Sequence, residues 1–156
     1  MVKIIVDSTC DLPDEIMEKY DIKLLPLIVN LNGKDFMDKV TIKVDQVYDA
    51  MRKGICPMTS QPNPRFVYQL FQDCISKGYS FIYLAFSSKL SGTYNTIYRI
   101  MQSLKEKYSD VKMDIVDTKS GSTATGLIAL QAAKMVEAGK SFETVLSTTK
   151  ELAEHV

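Results

Sequence analysis

The fold is decided by one stretch of the sequence, FIYLAFSSKLSGTY, residues 81–94. Residues 81–86 form a continuous apolar run with the length and β-rich composition of a buried strand. Residues 87–94 are rich in hydroxyl side chains and contain one glycine. From Tyr94 to Tyr108 the apolar side chains then recur at helical spacing. The stretch therefore predicts a buried strand, a hydroxyl-rich turn and a helix, in that order.

The residues alone leave two interpretations of this turn open. The first N–H groups of a helix lack partners within the helix and lie at the positive end of its dipole, so a turn of this kind attracts a phosphate or a carboxylate. Alternatively, Ser91 or Thr93 caps the helix, as serine and threonine commonly do.

The same alternation of strand and helix extends in both directions from this stretch. Pro26 interrupts an otherwise apolar run and favours an edge strand or an early bend there. Asn32-Gly33 predicts a hairpin, with residues 34–37 turning back. Prolines exclude a regular helix from residues 56–64. The other predicted strands cover 2–7, 23–31 and 111–117, and the other predicted helices cover 13–20, 44–54, 63–78, 124–138 and 141–154.

This order of elements predicts an α/β fold with a mainly parallel sheet and helices on both faces. In open sheets of this kind, ligands bind outside the carboxyl ends of the strands. Hydroxyl-rich loops follow the predicted strands at Asp7, Phe86 and Asp117. The segment Thr59-Ser60-Gln61 is a fourth candidate, because it leads directly into a predicted helix. We therefore expect a shared site for a small ligand or an anion at this edge.

Composition narrows the class of protein. The 156 residues suit a single domain, and 19 basic residues balance 19 acidic ones, so no basic field attracts nucleic acid. No apolar run approaches the length of a membrane span, and the N-terminus does not resemble a secretory signal. The three cysteines are widely spaced without a CxxC pair, which favours reduced thiols in the cytoplasm over disulfides or zinc.

Catalytic machinery is hard to find in the sequence. The only histidine, His155, is next to the last residue, and Ser91 lacks the glycines of a nucleophile elbow. Asp7 follows a strand as a phosphoaspartate would, but its partner two residues on is Thr9 rather than a second aspartate. Glycine spacing gives no nucleotide loop, and we expect neither a metal nor a cofactor. A small serine hydrolase or phosphotransferase using Ser91 or Asp7 is the alternative to a binding protein.

Four segments together resemble the DegV family of bacterial fatty-acid-binding proteins. They are Asp7-Ser8-Thr9-Cys10-Asp11-Leu12-Pro13, Thr59-Ser60-Gln61-Pro62, Ser87-Ser88-Lys89-Leu90-Ser91-Gly92-Thr93-Tyr94 and Asp117-Thr118-Lys119-Ser120. The resemblance implies a lipid-binding protein that is not an enzyme. Its ligand is a long-chain fatty acid lying between two domains, and some members deliver that acid to a fatty acid kinase.

By the same resemblance, the hydroxyls of Thr59 and Ser91 hold the carboxylate, with Ser60 and Ser88 as near neighbours. Family members are about twice as long as this chain. We therefore expect residues 1–156 to be a single α/β domain of the DegV N-terminal type, with the C-terminal domain absent. An apolar face should then be exposed at the strand ends and be covered by lipid or by self-association with a second copy.

Overall fold

The computed structural model describes all residues, 1–156. The strands are β1 Val2–Asp7, β2 Lys23–Leu25, β3 Ile28–Leu31, β4 Lys34–Met37, β5 Met58–Ser60, β6 Ser80–Ala85 and β7 Met113–Asp117. The helices are α1 Asp14–Lys19, α2 Val44–Arg52, α3 Pro64–Ser76, α4 Thr93–Lys107, α5 Ser122–Glu137 and α6 Phe142–Leu152. Each predicted helix is present with its ends within two residues of the expected positions.

The main sheet is parallel throughout, with the strand order β2-β1-β6-β7. Val6 of β1 lies opposite Leu84 of β6, which in turn lies opposite Val116 of β7. Because parallel strands all point the same way, the loops after β1, β6 and β7 emerge at one edge. The predicted α/β architecture with a mainly parallel sheet is confirmed.

Helices cover both faces of this sheet, as predicted. Successive residues of a strand point to opposite faces, so each central strand contributes to two cores. On one face, alternate strand residues pack with α5 and α6; this core includes Ile4, Val6, Ile82, Leu84, Val116, Ile128, Ala129, Ala132 and Val145. On the other face the intervening residues pack with α3 and α4; this core includes Ile5, Phe81, Tyr83, Ile115, Val67, Phe71, Ile97 and Met101.

A second, smaller sheet lies within the segment 26–63, which we call the small lobe. It is antiparallel and has the order β4-β3-β5. The predicted hairpin between β3 and β4 is confirmed, with Asn32 and Gly33 both in the left-handed region at φ 52° and 82°. The expectation of one strand over residues 23–31 was wrong. The chain bends at Pro26 and Leu27, so β2 joins the main sheet and β3 the small one.

Strand β5 lies in the proline-rich segment from which a regular helix was excluded, and it corrects the expectation that Thr59-Ser60-Gln61 leads directly into a helix. Its three residues pair with β3, and Thr59 lies opposite Val29. The prolines at 57 and 62 flank β5 without interrupting its hydrogen bonds. Helix α3 begins later, at Pro64, where the Asn63 side chain caps it by accepting from the Arg65 N–H at 3.0 Å. Thr59 and Ser60 therefore lie on an edge strand and not at a helix N-terminus.

Helix α2 is the least buried long element of the small lobe. Only Ala50 is buried, whereas Val44, Tyr48 and Met51 are each more than half exposed. Apolar side chains at this spacing form one stripe along a helix, so α2 presents apolar surface to its surroundings. None of the helices combines the length and the apolar composition that crossing a membrane requires.

Candidate functional site

The carboxylate that ends β1 organises the edge of the sheet. Asp7 is fully buried. Its Oδ2 accepts hydrogen bonds from the Tyr83 hydroxyl at 3.1 Å and the Phe86 N–H at 2.9 Å. Its Oδ1 accepts from the Thr9 N–H at 3.1 Å and from the Thr9 hydroxyl. Burial, together with the adjacent Asp7 anion, raises the pKa of Tyr83 well above its usual value, so this phenol stays protonated.

The carboxylate that ends β7 holds the loop after β6. Asp117 accepts from both the N–H and the hydroxyl of Ser88, and from the Lys119 N–H at 3.1 Å. Partial burial by itself would raise the pKa of Asp117, but these hydrogen bonds outweigh it and hold the pKa below the usual value. Ser88, expected beside the bound carboxylate, thus has both of its donors committed to Asp117.

The N-cap of α4 is Gly92, which forms no side-chain capping hydrogen bond, and Ser91 lies just before it. Ser91 Oγ accepts a hydrogen bond from the Thr93 N–H at 3.2 Å and lies 2.9 Å from Thr93 Oγ1. Thr93 is only 1% exposed, whereas Ser91 is half-buried. No histidine, lysine or carboxylate hydrogen-bonds Ser91, so nothing activates it as a nucleophile.

The small lobe faces Ser91 with one side of its sheet. Directly opposite residues share a face, so Thr59 lies on the same face as Val29. Leu27 and Gln61, which flank these two strands, line the same cleft as Val29 and Thr59. Asp38 follows β4 beside Leu27, whose carbonyl accepts from the Asp38 N–H at 2.9 Å. The Asp38 side chain forms no ion pair.

Between this face and the sheet edge lies a cleft with a volume of about 590 Å³. It is lined by Thr9, Leu27, Val29, Asp38, Thr59, Ser60, Gln61, Phe86, Leu90, Ser91 and Gly92. The structure therefore brings together Thr59, Ser60 and Ser91 of the predicted site. Ser88 does not line the cleft, because it is turned toward Asp117.

Thr9, Asp38, Gln61 and Phe86 are among the lining residues to which sequence reasoning gives no individual binding role. Thr9 and Gln61 lie inside segments that carry the family resemblance, so the sequence could have indicated that they lie near the site. Phe86 could also have been predicted to lie near the site, because it is the last residue of a predicted strand. Asp38 gives no local signal, because its approach to the cleft depends on the pairing of β3 with β4.

Other candidate reactive groups are engaged elsewhere. Asp7 is an unsuitable nucleophile, because it is buried and accepts four hydrogen bonds. Asp11 accepts from the Ser122 hydroxyl at 2.6 Å and pairs with Lys39 at 3.1 Å. Cys10 is buried, and burial raises the pKa of its thiol to about 11. The protein contains no cluster of His, Cys, Asp and Glu side chains arranged to hold a metal ion.

Fold and cleft together define a three-layer α/β domain with a cleft, lined in part by hydroxyl side chains, at the carboxyl ends of its parallel strands. The chain belongs to the DegV family: the family model described as "Uncharacterised protein, DegV family" matches residues 1–156.

Relatives of known sequence or structure agree with this assignment. A DegV domain-containing protein of Clostridium acetobutylicum is 38% identical over 156 residues, which are 99% of this chain and 54% of the relative. A stearic acid-binding protein from Eubacterium ventriosum matches with a TM-score of 0.88 and 30% identity, over 96% of this chain and 52% of that one. A Thermotoga maritima protein with a fatty acid binding function matches with a TM-score of 0.81 and 36% identity, over 96% and 54%. The chain thus spans about half the length of these relatives.

Proposed function

We propose that this chain binds a long-chain fatty acid in the cleft between the small lobe and the main sheet, with the carboxylate held by Thr59 and Ser91. Related structures support the ligand class, since the Eubacterium ventriosum protein is a stearic acid-binding protein. The observation that carries the proposal is the hydrogen bonding of Ser91, which leaves its proton available to a ligand.

That availability follows from counting donors and acceptors. A hydroxyl has one proton to donate and two lone pairs to accept with. Thr93 Oγ1 is buried, and its only hydrogen-bond partner is Ser91 Oγ at 2.9 Å. If Ser91 donated to Thr93, the Thr93 proton would be buried without an acceptor, which is costly. Thr93 therefore donates, and both lone pairs of Ser91 are occupied by the Thr93 hydroxyl and N–H. The Ser91 proton is left to point outward.

The opposite wall supplies further donors. Thr59 and Ser60 are exposed on β5, and Thr59 shares a sheet face with Val29, which also lines the cleft. The Gly92 N–H makes no backbone hydrogen bond and lies at the positive end of α4. A carboxylate that leaves water needs several such hydrogen bonds, because burying it unpaired is unfavourable.

Asp38 makes a small electrostatic contribution to the position of the carboxylate within the cleft. The register places Asp38 and Gln61 on the two sides of β3, so about two strand spacings, roughly 10 Å, separate their backbones. At that distance two anions repel by about 0.4 kcal/mol in water, and physiological salt reduces this further. The repulsion is small beside several hydrogen bonds, but it favours the Thr59–Ser91 side of the cleft over the Asp38 side.

The apolar lining accommodates the acyl chain. Leu27, Val29, Phe86 and Leu90 all line the cleft, and Leu90 is 73% exposed. Each buried methylene contributes about 0.8 kcal/mol, so the tail supplies most of the affinity and the hydroxyls supply selectivity for the acid group. We propose that exposed apolar surface at the cleft mouth is covered by this tail or by self-association.

We extend the proposal to the protein as a whole. The chain acts as a binding protein in the cytoplasm without catalytic residues, and delivers its fatty acid to a kinase that phosphorylates the carboxylate. Residues 1–156 form one α/β domain of such a carrier. The absence of a base beside Ser91 and the buried position of Asp7 favour this over the hydrolase or phosphotransferase alternative.

The test is direct. Denaturing the purified protein and analysing the extract by mass spectrometry should release long-chain fatty acids. In titrations with a fluorescent fatty acid, Thr59→Ala with Ser91→Ala should weaken binding at least about tenfold, because each hydrogen bond to a charged group contributes about 1.5–3 kcal/mol. Ser147→Ala, an exposed hydroxyl on α6, is the matched control and should bind normally. Unchanged affinity in the folded double variant would overturn the roles of Thr59 and Ser91, and no binding by the wild type would overturn the function.

A further inference from the structure

Hydrogen bonds involving side chains join the small lobe to the rest of the protein at three places, and at one of them Lys39 also pairs with Asp11 at 3.1 Å. Near the start of the lobe, the Leu27 N–H donates to Ser8 Oγ at 3.1 Å. In its middle, Lys39 Nζ donates to the Cys10 carbonyl at 2.8 Å. Near its end, Thr96 Oγ1 of α4 donates to Gln61 Oε1 at 2.5 Å. Only this third contact joins two elements that each carry a proposed carboxylate ligand.

The Gln61 side chain fits closely against the start of α4. A Cβ atom at position 92 would lie 2.6 Å from Gln61 Nε2, so a larger residue there would displace the amide end of Gln61 from its present position. Gln61 thus rests on Gly92 while its carbonyl oxygen is held by Thr96 one turn further along the helix. We call Gln61, Gly92 and Thr96 the clasp.

The clasp lies next to both proposed ligands of the carboxylate. Thr59 is two residues before Gln61 on the same chain segment, and Ser91 immediately precedes Gly92. The three residues of β5 are exposed and pair on one side only, with β3, whereas Pro62 just beyond Gln61 is buried. Pro62 follows Gln61 and cannot donate a hydrogen bond.

We propose that the clasp fixes the distance between Thr59 and Ser91, with Thr96 as a positioning residue that acts through Gln61 and does not touch the ligand. This inference rests on the proposed function and adds to it the requirement that the spacing of the two hydroxyls be fixed before the ligand binds. Two hydroxyls on separate elements bind one carboxylate tightly only when their spacing is set in advance. Loosening the clasp therefore lowers selectivity for the acid group while leaving the apolar part of the cleft intact.

The experiment uses Thr96, because it lies outside the cleft lining. Thr96→Val removes the hydroxyl at nearly constant volume, and Thr96→Ser retains it. Affinities are measured for a long-chain fatty acid and for the alcohol of the same chain length. We expect Thr96→Val to weaken acid binding roughly three- to tenfold, the effect of one lost hydrogen bond, and to change alcohol binding less than twofold. Thr96→Ser should restore acid binding, and Asn95→Ala, an exposed neighbour on α4, should match the wild type.

A second readout needs no ligand. Hydrogen exchange of residues 58–61 should be faster in Thr96→Val than in the wild type, with exchange in β6 unchanged. Unchanged exchange at 58–61 would overturn the clasp whether or not lipid binds. If Thr96→Val weakened binding of the acid and the alcohol equally, or if Thr96→Ser did not restore acid binding, Thr96 would have only a general structural role. Either result would also overturn the proposed role of the clasp. A wild type with no affinity for either ligand would instead overturn the proposed function, and the exchange result would still decide the clasp.

Discussion

The main sheet and the small lobe bury their apolar residues to very different extents. From Phe81 to Ala85 every residue of β6 is fully buried, since helices pack on both faces. In the small lobe all three residues of β5 are exposed, and α2 buries only Ala50. The lobe is held by one hairpin and a few side-chain contacts. The cleft lies between these two regions, so one wall is firmly packed and the other is held by a small number of identifiable interactions.

The largest expected contrast comes from removing an aromatic ring in each region. Phe71 is fully buried, with its ring 4.8 Å from that of Phe81, and Phe71→Ala should lower the free energy of unfolding by about 3–5 kcal/mol. Phe36 of β4 is only half-buried, so Phe36→Ala should cost about 1 kcal/mol or less. Urea unfolding monitored by circular dichroism measures both, and equal losses would contradict the distinction between the two regions.

A smaller contrast is expected between two aspartates. Asp7→Asn replaces one carboxylate oxygen by an NH₂ group, which cannot accept from the donors that now surround Asp7. We expect a loss of about 2 kcal/mol in unfolding free energy. Asp35→Asn in the lobe is the control: Asp35 is exposed and accepts from Asn30 at 2.6 Å, and the change should stay within about 0.5 kcal/mol. A stable Asp7→Asn variant would show that the buried carboxylate is not what organises the sheet edge.

The smallest contrast uses one substitution at two glycines. Gly33 in the hairpin and Gly139 after α5 have φ values of 82° and 73°, and a Cβ would meet no atom within 4 Å at either site. Alanine should therefore introduce backbone strain of about 1 kcal/mol at each position. We expect Gly139→Ala to lower global stability and Gly33→Ala to accelerate hydrogen exchange mainly in β3 and β4. If Gly33→Ala lowers global stability equally, the lobe and the main sheet unfold as one unit.

Most of the main sheet follows from the sequence because its signals are local. The apolar run at 81–86 is long enough to specify a buried strand, and caps such as Ser141 and Asn63 mark helix starts within one residue. The small lobe was less predictable. Pro26 indicates a bend but not that the two halves of the run enter different sheets, and β5 exists only because distant β3 pairs with it.

The residues of the candidate site also fall into two groups, those that the sequence indicated and those that depend on tertiary structure. The hydroxyl-rich segments indicated the loops, and the family resemblance singled out Thr59, Ser60 and Ser91 within them; all three line the cleft. Ser88 lies in an equally suggestive position, but a carboxylate 29 residues away takes both of its donors. Asp38 and the contact between Gln61 and Thr96 depend on sheet register and on tertiary packing, which no local pattern encodes.

The small lobe is an insertion, because residues 26–63 leave the main sheet after β2 and return at the start of α3. The entropy lost on closing a loop grows only with the logarithm of its length, so halving this segment would change that term by about 0.6 kcal/mol. The main sheet therefore tolerates large changes in the size of the inserted segment. Shortening or lengthening the segment 26–63 would thus alter one wall of the cleft while Ser91 stays anchored between β6 and α4.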